Sequence, residues 1–142
     1  ENLLGALEDV DAEIIFTFPN SDAGGLTIIS KIEEFLRNHP SAKAFRSLGR
    51  EMYLNILSYV DLVIGNSSSG IREGAYIGTP VVDIGSRQNG RERKENVIDV
   101  DHNANKIITA IKKQIKHGKY KKNKFLMILL SGNFKLIILL EL

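Results

Sequence analysis

The sequence predicts an α/β fold in which a parallel sheet is covered by helices on both faces. Three observations carry that expectation. Short, mostly apolar runs of strand length alternate with longer segments whose apolar residues recur at helical spacing. That alternation is the pattern of strand–helix–strand units. Small polar residues directly follow several of the apolar runs, at the edge where such sheets bind ligands.

Taken in order, residues 2–10 read as a helix with Leu3, Leu4 and Leu7 on one face. Ile14 to Phe18 is an apolar strand ended by Pro19-Asn20. From Leu26 to Arg37, the residues Ile28, Ile29, Ile32, Phe35 and Leu36 keep helical spacing. Ala42 to Leu48 reads as an edge strand, and Met52 to Val60 as a helix with Leu54, Leu57 and Tyr59 available for burial. Leu62–Ile64, Val81–Ile84 and Val97–Val100 are short strands. Between the first two, a helix is expected to start at Ser68 to Gly70. Ala104 to Lys116 is a helix with Ile107, Ile108, Ile111 and Ile115 on one face. The whole is a Rossmann-like three-layer αβα unit.

The 142 residues, 43% of them hydrophobic, suit one compact domain with a real core. The chain opens on Glu1 without a cleavable signal pattern, which reads as a piece of something longer. There is no cysteine, so disulfides and thiolate metal sites are excluded. His39, His102 and His117 show no ligand spacing, and no metal or other cofactor is expected.

Net charge is +2, yet seven lysines lie between Lys112 and Lys124, and without them the rest would stand at −5. This block suggests nucleic acid or an anionic membrane. It contains only Tyr120 as an aromatic and follows a helix end, where cations are favoured. A solvated helix terminus and linker is the better reading, so neither nucleic acid nor membrane is expected as a partner. Phe125 to Leu142 is apolar nearly throughout, but Ser131-Gly132-Asn133 and Lys135 interrupt it. A spanning helix needs about 20 apolar residues. A helix packed on a partner domain, or a shifted reading frame, accounts for the segment. The expected organisation is a Rossmann-like domain over residues 1–118 and an atypical basic and apolar tail over 119–142.

The stretch from Gly65 to Val82, GNSSSGIREGAYIGTPVV, reads strand, phosphate-sized turn, helix, strand. The helix start presents unpaired N–H groups and the positive end of its dipole. Ser67, Ser68 and Ser69 supply hydroxyl donors, and Gly70 lets a phosphate approach closely. Helix capping is the leading account of Ser-Ser-Ser-Gly taken alone. Two neighbours shift the balance. Arg87 follows the next strand and returns to the same sheet edge. Glu73 lies three residues after Gly70, where it suits either an N3 cap or a pair of ribose hydroxyls. A nucleoside diphosphate is the ligand this combination fits.

FPNSDAGG, followed by VIGNSSSGIREGAYIGTPVVDIGSRQNGRERKENVI, resembles the hydrolysing UDP-N-acetylglucosamine 2-epimerases from about Ile14 to Lys116. The resemblance implies a two-domain glycosyltransferase-B architecture, of which this chain matches the carboxyl-terminal domain. It implies the reaction of UDP-GlcNAc with water to give N-acetylmannosamine and UDP, in cytoplasmic sialic-acid-type sugar biosynthesis. It also implies roles by position. Ser67 and Ser68 hold the diphosphate, Glu73 the ribose, and Asn20 lines the sugar side. Arg87 lies by the phosphates, where it can stabilise departing UDP.

The family's acid and base carboxylates lie mainly in the amino-terminal domain, and its histidine motif before the first strand is absent here. The fragment alone is therefore expected to be inactive. The family often forms dimers or tetramers, which leaves a homo-oligomer open. LTIISKIEEF after Gly25 lacks the arginines that some animal members use for feedback inhibition. A bacterial-type enzyme is the expectation. Two alternatives stand beside it: an epimerase for a related UDP- or GDP-linked amino sugar of the legionaminic-acid type, and a non-catalytic nucleotide-binding module.

Overall fold

The computed structural model of the chain describes residues 2–8, 10–18, 25–121 and 137–141, the last five by their backbone alone. The elements are α1 (Asn2–Glu8), β1 (Glu13–Thr17), α2 (Gly25–Asn38), β2 (Lys43–Phe45), α3 (Gly49–Tyr59) and β3 (Leu62–Gly65). They continue with α4 (Ser68–Ile77), β4 (Val81–Ile84), β5 (Val97–Val100), α5 (Ala104–His117) and β6 (Ile137–Glu141). All six strands join one sheet in the order β2-β1-β6-β3-β4-β5, and every pairing is parallel.

Successive strand residues feed opposite faces, which builds the two outer layers. Ile14, Phe16, Leu62, Ile64, Val82 and Ile84 point one way and pack with α1, α2 and α5 through Leu7, Ile32, Phe35, Ile107 and Ile111. Ile15, Val63 and Val81 point the other way, against Leu57, Val60 and Tyr53 of the α3 region. Helix α4 lies on this second face and sits close to the sheet. A Cβ at Gly70 would meet Val81 Cγ1 at 3.3 Å, and one at Gly74 would meet Val81 Cγ2 at 3.1 Å. Two glycines one turn apart thus set the distance between helix and sheet. The helix ends at Gly78, whose φ of 82° is left-handed and whose N–H returns to Gly74 O.

The tail departs from its expected form. Over residues 137–141 it is a strand rather than a helix, inserted between β1 and β3. Ile138, Leu139, Leu140 and Glu141 each pair with a residue of both neighbours. The strand's backbone is thus paired on both edges, as in the interior of a parallel sheet. In the doubly wound order 3-2-1-4-5-6, the central place belongs to the first strand in sequence. Here the last strand in sequence holds it. Residues 122–136 and 142 of the tail, and Asn20, lie outside the described residues. No described helix is long and apolar enough to cross a membrane.

Candidate functional site

The connections from β1 and β3 diverge on either side of the β6–β3 pair, which makes the carboxyl ends of these two strands the switch point of the sheet. Gly65, the last residue of β3, is paired with Asp83 of β4 and Glu141 of β6. Asn66 and Ser67 follow it, and α4 begins at Ser68. The serine turn therefore stands at the crevice.

Ser67 is the N-cap, with extended backbone and a side chain that accepts from Ser69 N at 3.3 Å. Its Oγ also meets Ser69 Oγ at 2.8 Å, and Ser69 Oγ meets Tyr53 OH at the same distance. The hydroxyls thus form a chain running from the turn to α3. Ser68 is half-buried as the first helical residue. Capping and anion binding are compatible here, because one cap satisfies one of the four unpaired N–H groups of the first turn. Gly70 is buried on Val81 and Val63, so packing already requires it.

With α4 starting at Ser68, Gly70 is the third helical residue and Glu73 the sixth. That position is too late for an N3 cap, and the capping alternative for Glu73 is dropped. Its Oε2 is buried and has no hydrogen-bond partner. Such a carboxylate oxygen is costly unless a ligand or water satisfies it.

Arg87 reaches the same place from the loop after β4. Its Nη1 donates to Asn66 Oδ1 at 3.2 Å. Its neighbour Gln88, only 4% exposed, donates through Nε2 to Asn66 O at 2.6 Å. Gln88 Oε1 is a second buried acceptor without a partner. A cavity of about 320 Å³ opens on this edge, lined by Thr17, Arg46, Arg50 and Tyr53 among others. Tyr53 joins that cavity to the serine chain.

Sequence reasoning missed Tyr53, Gln88, Arg93 and Asp83. Asp83 sits in the strand VVDI and is 2% exposed. A charge inside a fully buried strand was the available signal, since it demands a partner. That partner is Arg93, whose Nη2 lies 3.2 Å from Asp83 Oδ2 and 2.9 Å from Asp99 Oδ1. Burial first, then the hydrogen bond and charge of Asp99, push the Asp83 carboxyl from 3.8 up to about 6, while Arg93 opposes the shift.

The proton on Asp83 is held more tightly folded than unfolded. Its stabilising contribution is complete below about pH 4 and is lost as pH rises through about 6. At about 1.4 kcal/mol per unit, the swing is at most about 3 kcal/mol. Asp83→Asn is expected to remove that component, so denaturation midpoints should change less between about pH 4 and pH 7 than in the parent. Equal pH dependence in both proteins would reject the assignment.

With this geometry established, comparison with known proteins decides the family. The profile of the UDP-N-acetylglucosamine 2-epimerase family matches residues 1–127. The chain belongs to that family. Among curated relatives, it is 39% identical over 121 residues to the UDP-N,N'-diacetylbacillosamine 2-epimerase (hydrolyzing) of Legionella pneumophila, covering 85% of this chain and 32% of the relative. It is 42% identical over 94 residues to the GDP/UDP-N,N'-diacetylbacillosamine 2-epimerase (hydrolyzing) of Campylobacter jejuni, covering 66% and 24%. It is 33% identical over 115 residues to the UDP-N-acetylglucosamine 2-epimerase of Neisseria meningitidis, covering 81% and 30%. The chain thus spans no more than about a third of these relatives' length.

Proposed function

We propose that this 2-epimerase-family chain is the nucleotide-binding half of a hydrolysing UDP-sugar 2-epimerase. The observation that carries the reading is the buried, unpartnered Glu73 Oε2 on a helix capped by Ser67, with Arg87 bonded to Asn66 just before the cap. In this reading the diphosphate lies on the first turn of α4 against Ser67, Ser68 and Ser69, with Gly70 keeping the helix close to the sheet. Glu73 accepts from ribose hydroxyls, the cavity beside Tyr53 receives the base, and Asn20 is assigned to the sugar by the motif it matches.

In the full reaction a proton leaves carbon 2, the carbon 1–oxygen bond breaks, and UDP departs with the electron pair. Hydration of the resulting glycal returns hydroxyl to carbon 1 and a proton to carbon 2 on the opposite face. Helix N–H groups and Arg87 stabilise the charge growing on UDP. The proton-transfer groups belong to the remainder of the enzyme, so the chain alone is inactive. Between the sugars, the higher identities to two diacetylbacillosamine enzymes favour UDP-N,N'-diacetylbacillosamine over UDP-GlcNAc.

Calorimetric titration of UDP tests the site. Glu73→Gln should keep the fold and lose roughly tenfold or more in affinity, the worth of hydrogen bonds to a charged acceptor. Affinity equal to the parent's would remove Glu73 from the site. With an intact amino-terminal domain of a relative supplied, Arg87→Lys should lower turnover more than it weakens substrate binding. A guanidinium fork matches phosphate oxygens, whereas an ammonium is a point charge. Unchanged turnover with only KM raised would leave Arg87 a binding residue.

A further inference from the structure

Arg93 makes six hydrogen bonds to the sheet and the β4–β5 loop, and the proposed function gives it no part. It is anchored below and occupied above. Below, Nε donates to both Asp99 carboxylate oxygens at 3.0 and 3.1 Å, and Nη2 reaches Asp83 Oδ2 at 3.2 Å and Asp99 Oδ1 at 2.9 Å. Asp83 and Asp99 face each other in register on β4 and β5, so the anchor is the sheet itself. Above, Nη1 donates to Gln88 O at 2.8 Å and Arg91 O at 2.7 Å, gripping the backbone of the β4–β5 loop.

The gripped segment carries the two residues that hold the serine turn. Arg87 bonds the side chain of Asn66 and Gln88 its carbonyl, so the residue between β3 and the Ser67 cap is held at its side-chain and its backbone oxygen. A continuous chain of contacts therefore runs from Asp83 and Asp99 through Arg93 and the Gln88 backbone to Asn66.

We propose that Arg93 is a positioning residue of the nucleotide site, setting the serine turn and Arg87 in place by clamping the β4–β5 loop to the sheet. The proposal rests on the UDP reading of the serine turn for its functional consequence, and on the contacts alone for the coupling. Lysine cannot replace Arg93. It carries the charge but not the planar fork that spans two carboxylates and two carbonyls.

Two measurements on the 142-residue chain test this. In ligand-free protein, Arg93→Lys should shift the amide NMR signals of Asn66 to Ser69, more than 20 positions away in sequence, while Arg37→Met at an exposed position of α2 leaves them in place. Unmoved signals in Arg93→Lys overturn the proposal, whatever UDP does.

In UDP titrations well below each variant's melting temperature, Arg93→Lys should weaken binding about tenfold. In a Gln88→Ala background the same change should cost much less, because the clamp has then lost its grip on Asn66. A full, additive loss in that background also overturns it, as does normal UDP affinity in a less stable Arg93→Lys, the result of a merely structural role. Absence of UDP binding by the parent chain would instead count against the proposed function, leaving the NMR result to decide the coupling.

Discussion

Replacing Ser67 and Ser68 together by alanine is expected to weaken UDP binding by more than about a hundredfold. Two hydrogen bonds to a charged group contribute about 3 kcal/mol or more. The same substitution removes the α4 cap, because Ser67 Oγ accepts from Ser69 N. A lost cap costs about 1 kcal/mol of stability. Calorimetry and thermal denaturation separate the two effects. Ser68 is past the cap, so Ser68→Ala alone should lower affinity with little change in melting temperature. Unchanged UDP affinity in the double variant would assign the serines to capping only.

Leu139→Pro should abolish cooperative folding. Leu139 is the middle residue of β6 and is paired with Ile15 on one side and Val63 on the other. Proline cannot donate to a ladder and is excluded from central strands. The buried ladder acceptor left unsatisfied costs about 1–3 kcal/mol, and ring strain adds to it, against the roughly 5–15 kcal/mol that holds a domain together. Removing residues 122–142 should do the same, since β1 and β3 are joined within the sheet only through β6. Urea denaturation followed by circular dichroism provides the check. A variant that kept the parent's midpoint and steepness would show that the two halves hold together through their helices alone.

Local pattern carried much of the fold and the position of the serine turn. Helical spacing in Leu26–Arg37 and Ala104–Lys116, and apolar runs at Val81–Ile84 and Val97–Val100, are properties of neighbouring residues. They reappear as α2, α5, β4 and β5. The turn Asn66 to Gly70 was legible for the same reason, since a strand, small residues and a helix are consecutive. Its family followed from ordered motifs.

What no stretch of sequence announced were contacts between distant residues. Gln88 and Asn66 are 22 positions apart, and Tyr53 and Ser69 are 16 apart. The place of β6 was hidden for a different reason. Ile-Ile-Leu-Leu serves a helix or a strand equally well, and only the open position between β1 and β3 selects the strand. Glu73 shows the division in a single residue. Its spacing from Gly70 suited a cap until the helix start at Ser68 put it a turn too late and left one oxygen buried without a partner. The sequence by itself determined the alternation of helices and strands from α1 to α5 and the succession of strand, serine turn and helix, because both depend on adjacent residues. Only the tertiary structure decided which strand completes the sheet and which side chains brace the turn, because those choices depend on the space that packing leaves.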